Sequence, residues 1–436
     1  MRTRDTIFAL SSGGTPSGVA VIRVSGVKAL TIAKQMAGDF KNKRQMLLRS
    51  IRSRNGELID KGLVLIFPGP GSFTGEDCVE FQLHGGRAVV ALASSELEAL
   101  GCRYAEAGEF TQRAFENGKL DLVEVEGLGD LISADTEMQR RLAAEQMAGD
   151  LSGRYHAWAK RLTHARAMIE AELDFADEED IPGSVSDQIW PDLVSLRAEI
   201  AAQIQSNKLG QSIRDGFKVV ISGPPNAGKS SFLNLMAGRD VAIVTEVAGT
   251  TRDIIEIDLD IDGFLIRLID TAGIRETTDL VEQEGVRRAR AALEAADMVL
   301  LMSEIDSDPE HTPEVMPPRV IRIGTKLDLK RPAHPERYDL LFSAKSGDGL
   351  DEIRAAILSA VKADWESISQ MGAGRQRHIN HLREASNFVE EALKGSDLVI
   401  RAEYLRLAAE ALGRITGRVD VEDLLGVIFS EFCVGK

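Results

Sequence analysis

Cysteine is scarce: 436 residues hold three, Cys78, Cys102 and Cys433. They lie far apart and no Cys-x-x-Cys spacing occurs, which removes a disulfide framework and a zinc site from the expected chemistry. A reducing cytoplasm fits that usage. Long apolar runs are missing too. No stretch of about 18 apolar residues exists, so no membrane span is expected, and the opening MRTRDTIFAL lacks the apolar core of a secretory signal. Positive charge is outnumbered, with 52 Lys and Arg against 68 Asp and Glu and a net charge of −16. That argues against a protein gripping nucleic acid through one large basic surface of its own, and leaves a local patch or a partner to supply the charge. What remains, 44% hydrophobic and 28% charged residues, is the composition of a soluble globular protein. The length suits roughly two to four domains.

The patterning changes three times. Over residues 1–118, GVAVIRVSG and GLVLIF are apolar runs bounded by Gly and Pro and read as strands. DCVEFQLHGG alternates Val79, Phe81 and Leu83 towards one face, and GRAVVALASSELEALG has helical content ending at Gly101. An α+β domain follows. Residues 119–210 turn helical: Leu162, Ala165, Ile169 and Leu173 recur at helical spacing, as do Ile189, Leu193, Leu196, Ile200 and Ile204, with the acidic loop ADEEDIPGSVSD between them. Residues 211–367 alternate apolar strands (FKVVISG, FLIRLID, DMVLLMS, RVIRIGT) with helix-like stretches, the pattern of an α/β domain with a mostly parallel sheet. Residues 368–436 return to helix, with one stripe at Leu405, Ala408, Ala409 and Leu412 and another at Leu424, Leu425, Ile428, Phe429 and Phe432. Two apolar faces on so short a segment need a partner. The earlier helical block is the expected partner, with the α/β domain inserted into a discontinuous helical domain; a separate C-terminal bundle is the alternative.

Between a strand and a helix stands GPPNAGKS, Gly223 to Ser230, in the pattern G-x-x-x-x-G-K-[ST]. Such a loop closes backbone N–H groups around phosphate oxygens at a helix N-terminus. Lys229 then reaches the β and γ phosphates and Ser230 a Mg²⁺ ion. Asp270 of DTAG is placed to hold the Mg²⁺ shell and the Gly273 N–H to sense the γ phosphate. Thr251 of GTTRD is the candidate second hydroxyl on the metal. In TKLD, Asp328 can accept two hydrogen bonds from guanine, a pair that adenine does not offer, and SAK (Ser343, Ala344, Lys345) is placed beside the base. In this order the set resembles that of translation-factor-type GTPases. Two positions depart from it. Thr325 replaces the Asn of the usual Asn-Lys-x-Asp, which opens the question of how that loop is anchored. Ile274 stands where many GTPases carry a water-positioning Gln, and it cannot orient water.

GPPNAGKSS, GTTRD, DTAGIRE, FTGED, GEFTQRAFENGKLDL and the tail FCVGK together resemble the MnmE (TrmE) family of tRNA-modifying GTPases, from end to end of the chain. The resemblance implies an N-terminal folate-binding and dimerisation domain, a discontinuous helical domain and an inserted Ras-like P-loop GTPase domain. It further implies a homodimer working in a heterotetramer with FAD-containing MnmG (GidA). Together they would install a carboxymethylaminomethyl-type group on C5 of the wobble uridine of certain tRNAs, from a 5-formyl- or methylene-type tetrahydrofolate. The FAD belongs to the partner. K⁺ takes the place of an arginine finger, with Asn226, Thr245, Val247 and Thr250 as its matching ligands, and Glu282 matches the water-positioning acid. The GTP-binding set widens to Asn226, Ala227, Gly228 and Ser231, to Glu246, Ala248 and Gly249, to Thr271 and Ala272, and to Lys326. Arg23, Glu80, Lys119 and Lys436 match the folate ligands.

Two rivals are weaker. A ribosome-assembly GTPase of the Era or Der type leaves the N-terminal domain and the tail without a purpose, and a pure regulatory switch overlaps with the main reading. The tail SEFCVGK puts Cys433 where a prenylation box would, but Gly435 and Lys436 do not suit one. An arm that returns to the folate site is the expectation. Cys433 stays open between a nucleophile and a small buried residue that fixes the arm.

Overall fold

The computed structural model describes residues 5–174, 185–239, 241–243, 255–270, 287, 290–307, 319–366, 372 and 374–419, with 425, 428, 429, 432 and 435 of the tail. The chain gathers into two compact units: Met1–Gly129 with Ser152–His156 and Leu412–Lys436, and Asp130–Leu151 with Ala157–Ala411.

The first unit is built on six strands, β1 (Ile7–Leu10), β2 (Ser17–Ser25), β3 (Gln45–Arg52), β4 (Leu58–Phe67), β5 (Cys78–Gly85) and β6 (Arg103–Tyr104). Their order is β3-β4-β5-β2-β1-β6, and every pair is antiparallel except β1 with β6. On β5 the expected alternation holds, with Val79, Phe81 and Leu83 buried between less buried polar neighbours. That face packs on α1 (Ala29–Ala37) and α2 (Arg87–Ala99), and Leu30, Ile32, Met36 and Leu97 join its core. After α3 (Glu109–Glu116) comes α4 (Leu122–Ser133), whose start is fixed by reciprocal capping. The Asp121 amide donates to the Glu124 carboxylate at 2.7 Å and the Glu124 amide to Asp121 at 3.0 Å. Leu122 and Val125 bury Ile428, Phe429 and Phe432 of the tail, so the described part of the last apolar stripe is packed; Leu424 lies outside the described residues.

The second unit starts with α5 (Glu137–Met147), α6 (Asp150–Asp174) and α7 (Trp190–Asp215). Ile189, Leu193, Leu196, Ile200 and Ile204 are buried as their spacing predicts. On α6, Leu162, Ala165 and Ile169 are buried, but Leu173, in the last turn, is exposed. The central sheet follows: β7 (Phe217–Ser222), then α8 (Lys229–Arg239), β8 (Val241–Ile243), β9 (Ile255–Ile261), β10 (Phe264–Asp270), β11 (Met298–Glu304), β12 (Val320–Thr325) and β13 (Leu340–Phe342). In the order β13-β12-β11-β7-β10-β9-β8, the pairs from β13 to β10 are parallel and the last two antiparallel. Strands buried on both faces read as the near-continuous apolar runs seen in the sequence. The helices α9 (Leu350–Glu366), α10 (Gln376–Lys394) and the first part of α11 (Leu398–Thr416), up to Ala411, close the unit, and α10 packs along α7.

Helices and sheet meet at the edge away from the phosphate loop. The Met138 amide of α5 donates to the Gly263 carbonyl at the β9–β10 turn (3.0 Å), and the Gln139 side chain donates to the Arg214 carbonyl at the end of α7 (2.9 Å). Nearby the chain passes against itself as it enters and leaves the sheet. A Cβ on Gly210 would lie 2.5 Å from the Gly372 carbonyl oxygen, and one on Gly372 would lie 2.3 Å from Asn207 Oδ1. Only residues without a side chain allow that backbone approach.

Candidate nucleotide site and N-terminal polar site

The parallel strands β7, β10, β12 and β13 end at Ser222, Asp270, Thr325 and Phe342, beside the phosphate-loop, DTAG, TKLD and SAK motifs, and open α/β sheets bind ligands at such carboxyl ends. β7 ends at Ser222, and the chain turns through Gly223–Gly228 into α8. Asn226 sits at φ 64°, a left-handed conformation that few residues other than glycine adopt, and its side chain is exposed. Ala227 is buried, whereas Ser230 and Ser231 are exposed. Lys229 opens α8 and is 5% exposed, with Nζ donating to the carbonyls of Gly223 (2.7 Å) and Pro224 (2.8 Å). Burial pushes its ammonium below the ordinary lysine value, against the opposing pull of the Asp270 carboxylate. Asp270 is itself buried, and is paired with Ile221 at the end of β10. The lysine thus lies across the loop holding two neutral acceptors. A phosphate there offers charge-assisted bonds of roughly twice the strength.

On the far side of the sheet, Lys326 follows β12 at φ 63°, and its ammonium pairs with Glu304. Asp328 Oδ1 accepts a hydrogen bond from Ser343 Oγ at 2.7 Å, and the same hydroxyl accepts from the Lys345 amide at 3.3 Å. Ala344 packs against the core of the sheet. The anchoring question raised by Thr325 has a physical answer. Thr325 is 1% exposed, and its hydroxyl donates to the Ser303 carbonyl of β11 at 3.1 Å, tying the base of the loop to the next strand. Thr245, Glu246, Val247, Ala248, Gly249, Thr250, Thr251, Thr271, Ala272, Gly273 and Glu282 lie outside the described residues, as do Cys433 and Lys436.

In the first unit, Arg23 and Glu80 face each other across β2 and β5, with Nε 2.9 Å from Oε1 and both side chains mostly covered. The Arg23 guanidinium also lies 5.5 Å from the Phe73 ring centre and 5.6 Å from that of Phe110. Lys119 is exposed and runs beside Gly75, two residues after Phe73. The Phe73–Glu76 loop is pinned from beneath. The Ser25 hydroxyl bonds Thr74 Oγ1 and the Glu76 carboxylate, both at 2.8 Å, and Arg113 reaches Glu76 at 3.0 Å, Glu109 at 2.8 Å and the Asp5 carbonyl at 2.8 Å. Gly435 passes against β1: its carbonyl accepts from Ser11 Oγ at 2.8 Å, and a Cβ on it would lie 2.4 Å from the Leu10 carbonyl oxygen. Leu10 pairs with Ile22, the neighbour of Arg23. Phe73, Phe110, Ser11 and the Arg113 network are the parts that sequence reasoning missed. Their only signal was that FTGED and GEFTQRAF stood out without a role.

Comparison with known proteins adds length to these local observations. A family model described as the MnmE helical domain matches residues 122–433, and one described as the GTP-binding protein TrmE N-terminus matches residues 6–119. The chain is 56% identical to the tRNA modification GTPase MnmE of Agrobacterium fabrum over 437 residues, 99% of each protein. It is 56% identical to that of Rhizobium meliloti over 442 residues, 100% of each. With that of Brucella anthropi it shares 51% over 436 residues, 99% of this chain and 98% of the relative.

Proposed function

We propose that this chain, which belongs to the MnmE family of tRNA modification GTPases, hydrolyses GTP in a K⁺-dependent manner. With FAD-containing MnmG it adds a carboxymethylaminomethyl-type group to C5 of the wobble uridine of certain tRNAs, using a tetrahydrofolate one-carbon unit. The observation that carries the nucleotide half is Lys229, buried across the phosphate loop beside Asp270. When GTP enters, the ammonium exchanges two carbonyls for phosphate oxygens, and the penalty of its burial is offset by the incoming negative charge. Asp328, oriented by Ser343, reads the guanine edge. The exposed Ser230 hydroxyl and the Asp270 carboxylate are oxygen donors of the kind Mg²⁺ takes, and the exposed Asn226 carboxamide suits K⁺. Bound there, the two cations supply positive charge to the β and γ phosphates. Thr251 completes the Mg²⁺ donors, Thr245, Val247 and Thr250 those for K⁺, and Glu282 orients the attacking water.

The proposed domains are 1–118, 119–210 with 368–436, and 211–367, in a homodimer. In the first of them, the Arg23–Glu80 pair between two aromatic rings offers a planar heteroaromatic ligand one donor group, one acceptor group and two apolar faces. Lys119 and Lys436 suit the carboxylates of a glutamyl tail. The test is mass spectrometry of wobble nucleosides from cells with and without this chain, with GTP hydrolysis measured in KCl and in NaCl. Loss of the modified uridine and faster hydrolysis in KCl are expected. An unchanged nucleoside profile refutes the tRNA reading, and equal rates in the two salts refute the K⁺ reading.

A further inference from the structure

One stretch runs against the charge of the whole chain. Residues 41–61, KNKRQMLLRSIRSRNGELIDK, hold seven Lys and Arg against two acids, Glu57 and Asp60, in a chain of net charge −16. They form the β3–β4 hairpin and its approach, and β3 is the outermost strand of its sheet. Six of the seven bases are exposed and Arg49 is half-buried. Among the described residues, none of the seven is in an ion pair. The guanidinium groups of Arg44, Arg49 and Arg52 donate to the backbone carbonyls of Gly71, Asp39 and Gly56, and that of Arg44 also lies 5.5 Å from the centre of the Phe67 ring. Elsewhere guanidinium groups are committed to carboxylates, as at Arg23, Arg103, Arg113, Arg161, Arg267 and Arg319. Among the described residues, the hairpin thus gathers seven bases in one stretch with no ion pair to a carboxylate.

We propose that the β3–β4 hairpin is a contact surface for the phosphate backbone of tRNA. The inference rests on the reading that tRNA is the macromolecule this chain acts on. From Arg44 to Arg52 the strand rises roughly 26 Å at about 3.3 Å per residue, enough to face several consecutive phosphates. Guanidinium groups now resting on neutral carbonyls would gain charge-assisted, bidentate acceptors. Because the rest of the surface is acidic in sum and repels RNA, an isolated basic edge sets where and how the RNA approaches more than it sets total affinity. A second copy of the chain fits the hairpin poorly. The exposed Met46 and Leu48 on β3 would suit one, but a two-fold pairing of this edge with itself would set seven bases against seven.

The test is tRNA binding by the full chain between 50 and 200 mM KCl, comparing wild type with the combined Lys43→Gln, Arg52→Gln and Lys61→Gln variant. All three positions are exposed, and none belongs to the nucleotide or folate sites. If each base meets one phosphate, the slope of log affinity against log salt becomes shallower by about 2 to 3. Affinity at 100 mM KCl falls tenfold or more, while GTP hydrolysis without tRNA is unchanged. A control removing the same charge from ion-paired helix residues (Arg140→Gln, Arg166→Gln and Arg406→Gln) keeps the wild-type slope. A wild-type slope in the hairpin variant overturns the proposal, as does an equal loss in the control. A changed oligomeric state with an unchanged slope overturns it too, and makes the edge an interface between copies. If cells lacking the chain keep the modified nucleoside, the tRNA reading fails and takes the hairpin with it. If the nucleoside is lost but the slope is wild type, only the hairpin proposal falls.

Discussion

Thr325→Val removes one hydrogen bond from the base of the guanine loop and little else. The two side chains have nearly the same shape, and position 325 is buried, so no cavity opens and no solvent replaces the lost donor. What disappears is the 3.1 Å bond from the hydroxyl to the Ser303 carbonyl. A neutral bond of this kind contributes about 0.5–1.5 kcal/mol net, rising towards about 3 where the abandoned carbonyl finds no other donor. If the bond holds Asp328 and its loop in register with the base, the larger part of that energy is felt by the nucleotide. A change of 0.5–1.5 kcal/mol is about a 2- to 13-fold rise in the GDP dissociation constant. Melting of the unliganded chain should fall by about 2–4 °C per kcal/mol in a domain of this size. Titration with a fluorescent GDP analogue and a thermal melt read both quantities on one preparation. A lower melting temperature with unchanged GDP affinity refutes the reasoning, because the bond then holds the strand and not the loop. A loss of affinity beyond about 200-fold refutes it from the other side, since Thr325 would then touch the nucleotide itself.

Arg113→Met strips a nearly buried guanidinium from Glu76, Glu109 and the Asp5 carbonyl, and is expected to cost about 3–5 kcal/mol of stability at neutral pH by leaving carboxylates without their partner. Burial pushes the Glu109 carboxyl up, but Arg103, the Glu106 amide and Arg113 outweigh it and hold the group below the usual range. Its stabilisation is therefore present above the ordinary carboxylate pKa and lost as pH falls through the depressed one, so the gap between wild type and variant narrows below about pH 4. Urea titrations at pH 7 and pH 3.5 with equal gaps would contradict this. Asp297 shifts in the opposite direction: burial raises its carboxyl, opposed by the Lys218 amide at 2.8 Å and by Ser212. Asp297→Asn keeps an acceptor for that amide and should raise the melting temperature at pH 7, with the gain vanishing as pH falls below the unfolded value near 4, where the wild-type carboxyl is also neutral. A gain independent of pH would point to packing instead.

The parts of the molecule that were legible in the sequence are those whose chemistry fixes residue type and spacing together. Gly223 to Ser230 could be placed because a phosphate loop must be a strand, a glycine-bearing turn and a helix in that order, and that is where β7 and α8 lie. The alternation on β5 was equally plain, because one of its faces is buried. β3 was not recognised, since Met46 and Leu48 stand on its open face and only Ile51 of its apolar residues is buried, so its apolar pattern does not mark one face. Its basic edge vanished into a net charge that averages over the whole chain. The wall around Arg23 was hidden for another reason: Phe73 and Phe110 reach it from distant parts of the sequence, and no local period records such a meeting. The role of Thr325 depended on Ser303, 22 residues earlier on another strand.

The contact of Gly210 with Gly372 bears on the order in which the chain can fold. Bringing together the ends of a flexible loop of roughly 160 residues costs about 4–5 kcal/mol of chain entropy, before any fixed term. Here the excursion departs and returns at one point. Once the sheet and its helices have folded, their two ends already adjoin, and α7 and α10 meet as though joined by a short turn. The helical pair can then assemble with the kinetics of a local hairpin, although its two halves are far apart in the sequence.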